Sequence, residues 1–165
     1  TGEVMGIAGT FARAFGKSML ACGLSIARPS DVPEVFVSVK DADKPLACGL
    51  ARRLRALGYE IVATRGTAAA LERARVPARV VSKVREGSPH ALDALSSGRV
   101  GLVVNTTVGA GSVRDSYSLR RQAVLQNLPY FTTMAAALAA CDALEATSGS
   151  GAAPAVRSLQ EWGST

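Results

Sequence analysis

Aromatic side chains are scarce: Phe, Trp and Tyr together make up 5% of the 165 residues, and tryptophan occurs once, at Trp162. So few rings leave little to stack on exposed bases, which argues against a nucleic-acid-binding module despite a formal net charge of +6. The arginines Arg52, Arg53, Arg55, Arg73, Arg75, Arg79, Arg120 and Arg121 are spread along the chain, as on solvated helix faces. Histidine occurs once, at His90, and the cysteines Cys22, Cys48 and Cys141 lie far apart with no CxxC, so no zinc-ligand spacing is present. Cys48 and Cys141 sit in alanine-rich helical patterns, where cysteine acts as a small buried hydrophobe. No apolar run approaches the roughly 20 residues that span a bilayer. Glu3 and scattered glycines interrupt the N-terminus before a signal-peptide core could form. These absences lead us to expect a reduced, cytoplasmic protein with neither a membrane nor a nucleic-acid partner.

What is present is a globular composition, 48% hydrophobic and 19% charged, in a length suited to one domain with a substantial core. Strand-like and helix-like segments alternate. The strands expected are Val35–Val39, Glu60–Thr64, Ala78–Ser82, Val100–Asn105 and a short piece at Tyr130–Thr132. After the first comes a helical pattern with Leu46, Leu50, Leu54 and Leu57 on one face, closed by Gly58. Further helices are expected at Thr67–Arg75, at Pro89–Ser97 with Ser88 as cap, at Ser112–Asn127 and at Met134–Glu145. Such alternation predicts an α/β fold, a five-stranded parallel sheet in a three-layer α/β/α sandwich. Outside this unit, Phe11, Phe15 and Met19 form an apolar stripe on an N-terminal helix. Ala146–Val156 reads as a small-residue linker, and the segment carrying Trp162 is expected to dock back on the domain.

Parallel α/β sheets bind ligands outside the carboxyl ends of their strands. That rule alone collects Asp41, Asp43 and Lys44 after the first strand, Thr64, Gly66 and Thr67 after the second, Lys83 after the third, and Asn105, Thr106 and Thr107 after the fourth. The stretch IVATRGTAAAL (Ile61–Leu71) is the most suggestive, a strand turning through glycine and threonine into a helix. Its helix N-terminus could hold an anion. Equally, Thr64 could simply cap the helix through its hydroxyl. On the anion reading, Thr67→Val should leave stability nearly unchanged and weaken phosphate-ligand affinity about tenfold.

The ordered set TGEVMG, FARAFGKSMLACG, ATRGTA, SKVREG, PH, VVNTT and RDSYSLRRQAV resembles the C-terminal end of the carbamoyl phosphate synthetase large subunit over nearly the whole chain. The resemblance implies that residues 1–23 are the tail of an ATP-grasp synthetase half and 24–34 a linker. Residues 35–145 would be a methylglyoxal-synthase-like allosteric domain, and 146–165 a linker and tail. It implies a nucleotide-effector site in which Lys44, Thr64, Gly66, Thr67 and Lys83 hold phosphate and Asn105, Thr106 and Thr107 line the sugar and base side. The implied effectors are UMP as inhibitor and IMP as activator, with ornithine a further activator near Thr132. The catalytic halves of the same subunit and a glutaminase small subunit are the implied partners, with ATP, Mg or Mn, and K as cofactors of the full-length enzyme but none for this fragment. Departures are Ala110 and Gly111 in place of an arginine pair, Arg65 in place of a histidine, and Phe131 in place of a polar residue. The rival within the superfamily is a methylglyoxal-synthase-like lyase acting on dihydroxyacetone phosphate. It needs a placed carboxylate base, and the loop after the fourth strand offers only Asp115, inside a predicted helix. The fragment alone is therefore expected to be non-catalytic.

Overall fold

Four short runs rich in β-branched residues and a Tyr-Phe pair, each followed by a helical pattern, become an all-parallel sheet in the computed structural model. The structure describes residues 3–83, 87, 90–107, 109–148 and 156–163, side chains of 109–115 excepted. The strands are β1 (Glu34–Ser38), β2 (Glu60–Thr64), β3 (Arg79–Val81), β4 (Val100–Asn105) and β5 (Tyr130–Phe131), in the order β3-β2-β1-β4-β5. The helices are α1 (Phe11–Ala21), α2 (Lys44–Ala56), α3 (Arg65–Arg73), α4 (Ala91–Ser96), α5 (Gly109–Leu125), α6 (Met134–Ser148) and α7 (Leu159–Gly163).

The period-2 geometry of the strands sends alternate residues to opposite faces. Val35, Val37, Ile61, Ala63, Leu102 and Val104 pack under α2, α3 and α6. Phe36, Val62 and Val103 pack under α4 and α5. Each Val, Ile, Leu or Phe among them, fully buried, contributes about 1.5–3 kcal/mol. Sheet and two helical layers make the α/β/α sandwich, with α1 packed outside on α6. β4 is buried along its entire length, as its uninterrupted apolar run requires.

Four helices stop in the same way. In each, a residue with positive φ lets the two amides around it turn back onto the last carbonyls: Gly23 after α1, Gly58 after α2, Arg75 after α3 and Asn127 after α5. At Gly58 (φ 97°), Gly58 N–H donates to Arg55 O at 2.9 Å and Tyr59 N–H to Leu54 O at 3.0 Å.

Several boundaries and faces differ from those the sequence led us to expect. The buried stripe of α2 is Ala47, Leu50, Ala51 and Leu54, whereas Leu46 lies to the side of that stripe and is 52% exposed. Of the α1 stripe only Met19 is buried; Phe15 is half-buried, and Phe11 stacks on it while remaining 69% exposed. α6 runs on through Ser148, where the hydroxyls of Thr147 and Ser148 bond back to carbonyls of the preceding turn. α4 begins at Ala91 and His90 is its cap: Nδ1 accepts from Asp93 N–H at 3.3 Å while the Asp93 carboxylate accepts from His90 N–H at 2.9 Å. Ser88 and Pro89, the start suggested by the sequence, lie outside the described residues.

Two ion-pair clusters tie elements far apart in sequence. Glu34, the first residue of β1 and almost wholly buried, accepts from Arg79 at 2.7 Å and Arg99 at 3.1 Å at the amino edge of the sheet. On the other side of α2, Arg53 pairs with Asp142 and, at 2.6 Å, with Glu145, joining α2 to α6. Cys141, buried beside this cluster, has its thiol pushed up to about 11 by that burial.

Two glycines near one another in the chain should respond oppositely to alanine. Gly58→Ala places a Cβ in the left-handed region, 3.3 Å from Pro29 Cγ, and should cost about 1–2 kcal/mol. Gly49 lies inside α2, with open space where its Cβ would go, so Gly49→Ala should stabilise by roughly 0.5–1 kcal/mol. Urea unfolding of the two variants checks both signs.

Candidate anion site at the carboxyl edge of the sheet

Strand order reverses beside β1: β2 and β3 lie to one side, β4 and β5 to the other. The crevice of such a sheet falls at that reversal, outside the carboxyl ends of β1 and β4. The chain leaving β1 passes through a short 3₁₀ turn (Asp41–Asp43) into α2, whose first residue is Lys44. The Lys44 ammonium lies 2.6 Å from the Asp41 carboxylate. It also lies over the first turn of α3, 3.6 Å from where a Cβ on Gly66 would stand. Lys83 joins the group from beyond β3: together with the closer Lys44, its charge holds the Asp41 carboxyl below the usual carboxylate range. Arg65, at the start of α3, reaches the Ser82 hydroxyl at 3.3 Å, next to Lys83.

The threonines are placed differently from a simple ring of ligand donors. Thr64 occupies the N-cap position of α3, with extended backbone, but its hydroxyl makes no bond to the helix amides. It lies instead 3.0 Å from the Ser38 hydroxyl at the end of β1. The side-chain capping reading of Thr64 is therefore not what the structure contains. Thr67 Oγ1 accepts the Val39 N–H at 3.1 Å, and Thr106 Oγ1 accepts the Lys40 N–H at 3.1 Å. Thr106 N–H in turn donates to Ser38 O at 3.0 Å. Both threonines are buried, and each hydroxyl that accepts a bond keeps its own hydrogen to donate elsewhere.

Asn105, at the end of β4, turns its amide nitrogen toward α5 and β5, donating to Ser116 Oγ at 3.0 Å and Tyr130 Oη at 2.6 Å. Thr107 follows, half-buried, before α5. Thr132 is exposed just past β5, beyond β4 as seen from β1. The structure thus gathers Lys44, Thr64, Gly66, Thr67, Lys83 and Thr106 about the end of β1, with Asn105 and Thr107 at the adjoining strand and Thr132 farther out. Ser38 went unselected, although its place as the last residue of a buried strand marks it by the same carboxyl-edge rule. Asp115 belongs to α5, with its side chain outside those described.

A parallel α/β/α sandwich with lysines and small hydroxyls at the strand-order reversal is an α/β domain of the class whose ligands lie outside the carboxyl ends of the strands. Residues 47–132 match the family model of the MGS-like domain. The chain belongs to that family. It is 46% identical over 145 residues to a carbamoyl phosphate synthase large chain of Myxococcus xanthus, covering 88% of this chain and 13% of that protein. It is 47% identical over 161 residues to the large chain of Halomonas eurihalina, covering 98% and 15%. For the Gemmatimonas aurantiaca protein of the same name the figures are 44% over 162 residues, 98% and 14%. The chain therefore spans only a small part of the length of these relatives. Among the described residues, no helix is long and apolar enough to cross a membrane.

The bond from Val39 to Thr67 changes what Thr67→Val should do. The variant strands a buried amide, which costs about 1–3 kcal/mol, where the sequence alone suggested little loss. Thr67→Ser, which keeps the acceptor, should recover most of it; urea unfolding of the pair decides.

Proposed function

We propose that this chain is the regulatory domain of a carbamoyl phosphate synthase large chain and binds nucleoside monophosphates at the carboxyl edge of β1. The observation that carries the reading is the placing of Lys44 over Gly66, with the charge of Lys83 felt at the same point. A phosphate there would meet two ammonium groups and the N-terminus of α3, the arrangement that favours a charged oxygen. Thr64 and Thr67 stand within that first turn, and Asn105, Thr106 and Thr107 border the side on which a sugar and base would extend. UMP as inhibitor and IMP as activator are the proposed effectors, with ornithine a third at Thr132. The proposed setting is the cytoplasmic enzyme of arginine and pyrimidine biosynthesis, which forms carbamoyl phosphate from glutamine, bicarbonate and ATP. The proposed partners are the catalytic halves of the large chain and a glutaminase small subunit.

The domain itself is proposed to be non-catalytic. A general base works best with a pKa near the operating pH, and Asp41 is displaced the other way by Lys44. Asp43 stands 3.8 Å from the Lys40 ammonium. That environment argues against abstraction of a proton from a bound triose phosphate, the lyase alternative. ATP, Mg²⁺ or Mn²⁺, and K⁺ would serve the full-length enzyme. The described residues contain no group of three or more His, Cys, Asp or Glu able to hold a metal ion.

Asp41 already supplies Lys44 with an anion, so an incoming phosphate competes with it. Asp41→Asn should tighten UMP binding several-fold in calorimetric titration; unchanged affinity would separate Lys44 from the phosphate. Lys83→Ala should weaken UMP and IMP by about 1.5–3 kcal/mol while leaving uridine binding almost unaffected. An equal loss for UMP and uridine would remove Lys83 from the site. Incubation with dihydroxyacetone phosphate should yield no methylglyoxal above blank.

A further inference from the structure

A cavity of about 600 Å³ lies between α1, the segment after it, α6 and the C-terminal tail, sharing no lining residue with the anion site. That size falls within the roughly 300–1,000 Å³ of small-molecule sites. At one side of the cavity α1 and α6 approach closely through small residues: a Cβ on Gly16 would stand 3.3 Å from the Ala143 Cβ. The walls beside that contact are apolar, contributed by Met19, Leu24, Ile26 and Leu144. The charged residues of the lining are Arg13, Lys17 and Arg157, with no aspartate or glutamate among them. Two of these cations flank the Trp162 ring, Lys17 at 5.8 Å and Arg157 at 5.4 Å from its centre. Lys17 is also fixed by donating to Ile7 O at 2.9 Å.

Among the described residues this apolar lining carries charge of one sign, positive, and so complements one kind of molecule, an apolar chain ending in an anion. We propose that this cavity binds a medium-chain carboxylate, its hydrocarbon along Met19, Leu24, Ile26 and Leu144 and its head group at Lys17 and Arg157. Burial of the chain supplies the affinity. Lys17, half-buried, sets the sign of the head group, since its attraction for a carboxylate is stronger there than in open water, and the exposed Arg157 adds a second cation beside Trp162.

Trp162, the only tryptophan in the sequence, lines the cavity, so its fluorescence reports on the site alone. Decanoate below its micellar concentration should change that emission saturably, with matching heat in calorimetry. Decanol and decyltrimethylammonium, of equal chain length, should bind at least tenfold more weakly. Lys17→Met and Arg157→Gln should each weaken decanoate about tenfold, the scale of one lost charge-assisted contact. Leu20→Glu, at a half-exposed position of the lining, should abolish decanoate binding without lowering the melting temperature. Equal responses to the three probes, an undiminished response in Leu20→Glu, or no saturation would overturn the proposal.

Discussion

The amides of Val39 and Lys40 emerge just past the last strand residue of β1, where the parallel ladder no longer supplies acceptors. Thr67 from α3 and Thr106 from the end of β4 take them, at 3.1 Å each. Buried N–H groups must be paired, so these two bonds fix the direction in which the chain leaves the sheet. That direction sets the 3₁₀ turn, the start of α2 and hence the place of Lys44. The pocket is therefore an extension of the sheet's hydrogen bonding, continued by side chains after the backbone pattern ends.

This explains why the threonines were legible in the sequence and their roles were not. Strand ends can be read from apolar runs bounded by polar residues, and the carboxyl-edge rule then points at Thr64, Thr67 and Thr106 without further information. Whether a hydroxyl faces a ligand, a helix amide or a neighbouring strand depends on strand order. The order β3-β2-β1-β4-β5 puts β2 and β4 on either side of β1, a long-range fact that no local pattern records. Ser38 was passed over because the expected strand ran on to Val39, which made it an interior residue, whereas β1 in fact ends at Ser38. It becomes visible once Thr64 is known to lie beside it.

The elements themselves were read well where periodicity is strong, as in β4 and α2, and less well where a cap decides. His90 serves as the cap of α4 through an imidazole nitrogen, a role that preference scales give to Ser, Thr, Asp and Asn. Leu46 belonged to the leucine spacing but not to the buried stripe, because alanines at 47 and 51 let α2 approach the sheet. The N-terminal stripe was half right for a similar reason: α1 packs through Gly16 and Met19, which leaves Phe11 in solvent.

The amino end of α2 carries Lys44, and its last turn carries Arg53, held by Asp142 and Glu145 of α6. Nine residue steps of helix separate the two, a strut of about 14 Å at 1.5 Å per residue. Both ends are pinned by charge, one to a loop at the sheet edge and the other to the helix on which α1 rests. A helix is stiff along its axis, so α2 serves as a rigid spacer between the loop at the sheet edge and α6, lying wholly in the outer layer of the sandwich.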